Sequence, residues 1–250
     1  MTNSLEQLSV LVIGAHPDDA EILCGGTMGR YVDAGARVTI AIATNGEVGG
    51  PGDDPIAIVA IRKREAEASV RLLGANLIWM GFQDEMLFNT KEVRETFIDA
   101  YRQARPDVVF VHSTEDYHPD HRVAGQVALD ARIPAAVPLV KTSLPALEKI
   151  PHLFVMDTIA GVNFEPEYLV DITSKQSLKD KLLQTHASQV EWMHIAYGDD
   201  YIADARKRSA SRASGTEWQY VEAFGSVGSY PVTGGPELLP GGWRAVSDNS

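Results

Sequence analysis

Short apolar runs alternate with longer stretches of helical spacing along the first half of the chain. Apolar runs of about four to eight residues are typical of buried parallel strands, and apolar positions three and four residues apart are typical of amphipathic helices. The predicted strands of this half are residues 9–14, 37–44, 76–80 and 107–112. The predicted helices that follow them in turn are residues 20–34, 56–73, 91–104 and 120–131.

This alternation predicts an α/β fold, namely a Rossmann-like, doubly wound, mostly parallel sheet with helices on both faces. The remainder of the chain is less regular and predicts a smaller irregular C-terminal part. Its predicted elements are strands at residues 153–157, 168–171 and 220–227 and one helix at residues 174–193. The Gly/Pro-rich segment 231–250 is expected to be a tail that follows the surface.

Composition limits the partners and the compartment. The chain has 250 residues, of which 44% are hydrophobic, and this suits one large domain. A net charge of −12 repels nucleic acid and anionic lipid, so we expect neither as a partner. The N-terminus lacks a signal-peptide pattern, and the single Cys24, expected to be a buried structural residue, cannot form an internal disulfide. These features predict a cytoplasmic protein.

Two clusters of histidine and aspartate follow the first and the fourth predicted strand. They read AHPDDAE at residues 15–21 and HPDH at residues 118–121. In a sheet ordered 3-2-1-4 these strands are neighbours whose helices lie on opposite faces, and ligands bind at such a switch point. Imidazole and carboxylate are ligands that zinc takes at catalytic sites. The clusters favour a metal site. The alternative is that the aspartates only cap the ends of the strands and that the histidines lie on the surface.

The turn after the first strand does not fit a dinucleotide site. It lacks a GxGxxG pattern, and Asp18 and Asp19 stand where a pyrophosphate would need bare backbone amides. Two carboxylates at this position repel phosphate and attract a cation.

The segments AHPDDAE and HPDH, in this order, resemble the LmbE-like or PIG-L-type deacetylases, which include the deacetylases of mycothiol and bacillithiol biosynthesis. Supporting similar segments are ATNGE at 43–47, RKREAEASVRLLG at 62–74 and HASQ at 186–189. The resemblance spans roughly residues 8–228. It implies a single catalytic domain over residues 1–230 that removes an N-acyl group, with acetyl expected, from an amino sugar or a related small molecule.

The resemblance also implies the metal ligands and the base. His16, Asp19 and His121 would hold one zinc ion per chain, although iron or cobalt could substitute by softness and availability. Asp18 would be the general base. Spacing alone leaves open which of the two adjacent aspartates binds metal and which faces the water.

Further roles follow from the same resemblance. His118 would stabilise the oxyanion or act as the acid, and Asp120 would orient His118. Arg62 would contact the substrate rather than stabilise the fold. Glu47, which follows the second strand, and His186, in the HASQ segment, are further candidates for substrate binding. Each has a structural alternative: a solvated loop acid for Glu47 and a core histidine for His186.

Several alternatives stay open from the sequence. The same scaffold hosts zinc-dependent hydratases or lyases of small organic acids, and Asp18 as a base suits both reactions. A non-catalytic metal-binding or sugar-binding module is a third possibility, against which the complete set of ligands and base argues. His112, which ends the fourth strand, is either a core histidine or part of the crevice. By analogy with the family, a homo-oligomer, trimeric or hexameric, is expected.

Overall fold

An eight-stranded mixed sheet is the framework of the computed structural model, which describes residues 5–228 and 230–246. The strands lie side by side in the order β3-β2-β1-β4-β5-β7-β6-β8. Their bounds are β1 Ser9–Gly14, β2 Arg37–Thr44, β3 Asn76–Phe82, β4 Val108–Val111, β5 His152–Met156, β6 Tyr168–Asp171, β7 Val221–Ser226 and β8 Trp243–Ala245.

Seven α-helices accompany these strands within the described ranges, and short 3-10 turns add to them. Their bounds are α1 Asp19–Asp33, α2 Pro55–Leu73, α3 Lys91–Ala104, α4 Pro119–Ala135, α5 Gln176–Gln184, α6 Ala187–Tyr197 and α7 Tyr201–Arg212. None of the helices in the described part of the chain combines the length and the apolar character that crossing a bilayer requires.

The first five strands of the sheet, from β3 to β5, are parallel. The predicted order 3-2-1-4 is confirmed, because β1 pairs with β2 on one side and with β4 on the other. The predicted α/β fold with a mostly parallel sheet is therefore confirmed. The carboxyl ends of β1 and β4 lie next to each other at the switch point.

Two apolar cores cover the two faces of the sheet. Alternate residues of β1 enter different cores: Val10 and Val12 pack on one face with residues of α1 and α5, and Leu11 and Ile13 pack on the other with residues of α3 and α4. All six residues of β1 are buried. Burial on both faces explains why the strands read as continuous apolar runs rather than as alternating patterns.

The C-terminal part differs from its predicted form in two ways. The single helix expected over residues 174–193 is wrong, because α5 ends at Gln184 and α6 begins at Ala187. His186 lies at the break with its side chain buried beneath α1. Part of the tail also enters the sheet, since β8 pairs antiparallel with β6.

The contact of α4 with the end of β4 gives a test of the fold. Gly125 in α4 packs against the backbone carbonyl of His112, where a Cβ atom would overlap the oxygen. Gly125→Ala should therefore lower the free energy of unfolding by about 1–3 kcal/mol, although alanine usually favours a helix. Urea denaturation measures this. Gly241→Ala, which meets nothing within 4 Å, is the control, and an unchanged or increased stability of Gly125→Ala would contradict the packing.

Candidate metal centre and active site

A cavity of about 730 Å³ opens at the carboxyl ends of β1 and β4. Its walls come from the turn after β1, the loops after β2, β3, β4 and β5, the starts of α1 and α4, the middle of α2, and the region of α6 and α7. The side chains that these segments contribute include His16, Asp18, Asp19, Val48, Arg62, Asp84, Glu85, Tyr117, His118, His121, Trp192 and Tyr201. Fold and motifs thus converge on one crevice, as the sequence predicts.

The turn after β1 separates two consecutive carboxylates. Asp18 has φ 113°, in the left-handed region that side chains other than glycine rarely adopt. The backbone N–H of His16 donates to Asp19 Oδ2 over 2.7 Å, and this hydrogen bond closes the turn. Asp19 lies beside His16 and His121, whereas Asp18 has separate partners, described below.

Three predicted metal ligands meet on the inner side of the cavity. His16 Nδ1 lies 3.2 Å from His121 Nε2 and 3.4 Å from Asp19 Oδ2. His121 Nε2 lies 3.4 Å from Asp19 Oδ1. These three donor atoms come from the turn after β1 and from the first turn of α4, so the adjacency of β1 and β4 is what brings them together.

A layer of carboxylates lies behind the two histidines. His16 Nε2 is 3.1 Å from Asp84 Oδ1 and 3.4 Å from Asp120 Oδ2. His121 Nδ1 is 3.3 Å from Asp116 Oδ2. Histidines that bind metals usually face a carboxylate or a carbonyl with their other ring nitrogen, which fixes the ring and its tautomer. Both histidines show this arrangement.

The electrostatics of this cluster favour a cation. Burial lowers the pKa of His16, but the surrounding carboxylates, Asp120 first among them, raise it well above its usual value. Burial likewise opposes the charged form of His121, yet Asp19 and Asp116 raise its pKa to about 9. The carboxylates therefore hold positive charge at these imidazoles. A divalent metal would supply that charge in place of the protons, and two imidazoles with one carboxylate suit zinc.

His112 contacts Asp19 and His121 from the side of the protein core. It is buried, and its Nε2 atom lies 3.1 Å from Asp19 Oδ2 and 3.1 Å from the backbone nitrogen of Ala15. Its ring stacks on that of His121 with centroids 4.3 Å apart. His112 thus supports two of the candidate ligands from the core side and does not line the cavity.

Asp18 occupies the opposite side of the cavity in a buried position. The hydroxyl of Tyr201 donates to Asp18 Oδ2 over 2.5 Å, and Arg62 Nη2 lies 3.6 Å from the same oxygen. Burial raises the pKa of Asp18 to about 6, although the positive charge of Arg62 opposes this shift. The carboxylate is therefore ionised at neutral pH and is a stronger proton acceptor than an exposed aspartate.

The structure corrects the expected relation between Asp120 and His118. Asp120 Oδ2 accepts from the backbone N–H of Glu85 over 2.8 Å, and Oδ1 accepts from that of Leu87 over 3.2 Å. Only the backbone N–H of Asp120 reaches His118, at Nδ1 over 3.2 Å. The expectation that the Asp120 side chain orients His118 is wrong, because residues two apart in a helix face different directions. Asp120 instead supports His16.

His118 lines the cavity and begins α4. Its Nδ1 accepts from the backbone as an N-terminal cap, so in the neutral ring the proton lies on Nε2. That Nε2 lies 3.1 Å from Glu85 Oε1. Burial, followed by the neighbouring His16 and His121, lowers the pKa of His118. The neutral ring therefore carries its N–H on Nε2, where it faces Glu85 at the cavity wall.

Two of the three residues expected to bind substrate lie outside the cavity wall. Glu47 Oε2 accepts from Asn45 Nδ2 over 3.0 Å, which turns its side chain back onto its own loop. His186 is fully buried, with Nε2 3.2 Å from Glu21 Oε1. Neither belongs to the residues that line the cavity. Local hydrogen bonds and the pairing with Glu21 decide where these two side chains lie, and their roles in substrate binding stay predictions.

Arg62 lines the cavity, but its guanidinium already donates hydrogen bonds to backbone carbonyls of the protein. Its Nη2 donates to the carbonyl of Pro17 over 2.8 Å, and its Nη1 donates to that of Gly46 over 3.3 Å. The side chain is 2% exposed and is seven residues into α2. These contacts join the turn after β1 to the loop after β2 and indicate a structural role beside the predicted substrate contact, which stays a prediction.

Sequence reasoning missed several residues of the site. Asp84 and Glu85 follow β3, and the rule that selected the first two clusters, polar residues at the carboxyl end of a strand, applies to them as well. Asp116 lies between β4 and the HPDH motif and was open to the same reasoning. Tyr201 reaches Asp18 across 183 positions of sequence. No local pattern indicates such a contact.

The fold and the donor cluster define an α/β protein with a candidate metal centre at its switch point. The family model described as GlcNAc-PI de-N-acetylase (PIG-L) matches residues 11–132. The chain is 33% identical to a diacetylchitobiose deacetylase of Thermococcus kodakarensis, over 72% of this chain and 69% of that protein. The chain belongs to the PIG-L family, also called LmbE-like.

Two further comparisons bear on the reaction. A 4-oxalmesaconate hydratase of Pseudomonas putida is 28% identical, over 88% of this chain and 90% of that protein. The structure of N,N'-diacetylchitobiose deacetylase from Pyrococcus horikoshii aligns with a TM-score of 0.78 and 28% identity, over 89% of this chain and 85% of that chain. The family therefore includes relatives with two different reactions.

The contacts of Arg62 lead to a test of its structural role. Arg62→Ala would leave two carbonyl groups without their partner and Asp18 without its neighbouring charge. We expect the free energy of unfolding to fall by about 2–4 kcal/mol. Arg64→Ala, an exposed position on the same helix, should change it by less than about 0.5 kcal/mol. Thermal and urea denaturation of both variants measure this, and equal stabilities would show that Arg62 has no structural role.

Proposed function

We propose that this protein is a zinc-dependent hydrolase that removes an N-acyl group, with acetyl as the expected group, from an amino sugar or a related small molecule. The observation that carries the proposal is the pairing of a buried carboxylate, Asp18, with a cation-favouring cluster across one cavity. Asp18 lines the same cavity as the candidate ligands, and burial raises its pKa to about 6, which suits a proton acceptor. The deacetylases among the relatives support the same reaction.

His16, Asp19 and His121 are the residues that would hold the metal. Their donor atoms face one another, and the other ring nitrogens of the two histidines lie near Asp84, Asp120 and Asp116. A bound zinc ion polarises the carbonyl of an amide and makes a water molecule more acidic.

Asp18 is proposed as the general base. It is ionised at neutral pH, lines the cavity and is held in place by the Tyr201 hydroxyl. It would take a proton from the attacking water while the water oxygen bonds to the acyl carbon. Arg62 and Tyr201 fix the direction of the carboxylate, since both contact the same oxygen.

His118 is proposed as the group that stabilises the oxyanion. The cap at Nδ1 places the proton on Nε2, and this N–H would donate to the oxygen on which charge develops. The lowered pKa of His118 favours this role over that of a charged acid. The proton held by Asp18 would then pass to the amide nitrogen as the C–N bond breaks, which releases the free amine and the carboxylate product.

A hydratase reaction on an organic acid is the second candidate, and the Pseudomonas putida relative favours it. A substrate of that class carries carboxylates that need cationic partners. Among the described residues that line the cavity, Arg62 is the single arginine or lysine, and it is bound to backbone carbonyls. The charges of this cavity therefore support the deacetylase over the hydratase. The cytoplasmic location and the homo-oligomeric state stay predictions from the sequence.

The proposed ligands can be tested by metal content. Purified protein loaded with zinc should contain about one zinc ion per chain by elemental analysis. His16→Ala and His121→Ala should each lose most of this metal, because each removes one of three ligands. His194→Ala, an exposed histidine on α6, should keep it. Full zinc content in both His16→Ala and His121→Ala would refute the assignment.

The proposed base can be separated from the ligands by an isosteric change. Asp18→Asn should retain zinc and fold, since asparagine tolerates a left-handed backbone, while kcat for acetate release falls by roughly 10²-fold or more. Asp19→Asn should instead lose zinc. Asp204→Asn, exposed on α7, is the control for loss of a carboxylate. Retained kcat in Asp18→Asn, or loss of its metal, would contradict the assigned roles.

A further inference from the structure

We propose that the cavity selects an uncharged N-acylated amino sugar that carries an aromatic or apolar substituent, and that it discriminates against carboxylated analogues. The inference rests on the proposed deacetylase function and names the substrate class for that site. Two features of the cavity carry it: an acidic lining away from the metal cluster whose arginine is already bound by the protein, and an apolar wall on α6.

The polar lining of the cavity is strongly acidic. Besides Asp18 and Asp19, three carboxylates line it: Asp84, Glu85 and Asp199. Asp84 is buried against His16, whereas the side chain of Glu85 is 50% exposed and Asp199 lies on the surface at the end of α6. The part of a substrate that extends away from the metal cluster therefore meets negative charge.

The cation of the lining is not free to offset these charges. Arg62 is buried, and both of its terminal nitrogens donate to backbone carbonyls. Its guanidinium also lies beside Asp18. A substrate carboxylate would have to displace these contacts and approach Glu85 or Asp199 without a compensating partner among the described lining residues. Like charges in a cavity that is partly shielded from water repel more strongly than in bulk solvent.

The apolar wall provides the second feature. Trp192, Met193 and Tyr197 project from α6 into the cavity, with Tyr117 and Ile159 also in the lining. Trp192 and Met193 are half-buried, and Tyr197 is 68% exposed. Aromatic side chains stack with other rings in offset or edge-to-face geometry. A cavity of about 730 Å³ is in the size range of sites for drug-sized ligands, so it has room for a group beyond one sugar.

A matched series of synthetic substrates tests both features. The probes are the methyl, phenyl and 4-carboxyphenyl glycosides of N-acetylglucosamine, each as both anomers, with zinc-loaded protein and released acetate as the readout. The phenyl glycoside should show a kcat/KM about tenfold above that of the methyl glycoside. The 4-carboxyphenyl glycoside should fall about tenfold below the phenyl glycoside. Added salt should reduce the difference in kcat/KM between the phenyl and 4-carboxyphenyl glycosides, because it screens the charges. It should leave the difference between the phenyl and methyl glycosides unchanged.

Variants of Trp192 and Asp199 test whether these residues cause the preference for an aromatic substituent and the discrimination against a carboxylate. Trp192→Ala should reduce the ratio of kcat/KM between phenyl and methyl glycosides toward one. Ile195→Ala, on the same helix but outside the lining, should keep the wild-type ratio. Asp199→Lys should raise kcat/KM for the 4-carboxyphenyl glycoside relative to the phenyl glycoside, because it replaces a negative charge at the cavity by a positive one.

The outcomes separate this inference from the proposed function. If the 4-carboxyphenyl glycoside is cleaved as well as the phenyl glycoside, the charge selection is refuted while the deacetylase proposal stands. If methyl and phenyl glycosides react equally, the apolar wall has no role in selection. If none of the probes releases acetate from zinc-loaded protein, the deacetylase proposal fails, and the inference fails with it.

Discussion

The structure depends above all on the burial of carboxylates and imidazoles at one end of the sheet. Asp19, Asp120 and His121 are each 1–2% exposed, and unpaired charges in such positions would strongly destabilise the fold. Each carboxylate therefore meets an imidazole or a backbone N–H, and the cluster as a whole favours a cation. The cavity, the supporting acids and the site of Asp18 are all arranged around this requirement.

The topology of the sheet brings these charged side chains together, and the strands themselves consist mostly of ordinary apolar residues. Neighbouring parallel strands end at the same edge, so short motifs after β1 and β4 meet although 105 positions separate His16 from His121. The left-handed backbone at Asp18 gives the two adjacent aspartates different partners, with Asp19 beside His121 and Asp18 beside Tyr201. Such a conformation costs about 1–3 kcal/mol, and the hydrogen bonds from His16 to Asp19 and from Tyr201 to Asp18 offset this cost.

The parallel half of the fold could be predicted because it depends on local patterns, and the family resemblance singled out the three side chains that lie together at its edge. Strands buried on both faces read as apolar runs, and the motif residues follow them directly. The supporting contacts could not be predicted in the same way. Glu47 is turned away by its neighbour Asn45, His186 pairs with Glu21 beneath α1, and Tyr201 reaches Asp18 from a distant helix. These are tertiary contacts that local sequence does not encode.

The most direct test of the account is an anomalous difference map at the zinc absorption edge, from crystals grown with zinc. The described residues offer three overlapping sets of donors: His16 with His118 and His121, Asp19 with His112 and His121, and His16 with Asp84 and Asp120. The account predicts one peak in bonding contact with His16 Nδ1, His121 Nε2 and the Asp19 carboxylate. A peak at His16 Nε2 between Asp84 and Asp120, or no peak in the cavity, would contradict it.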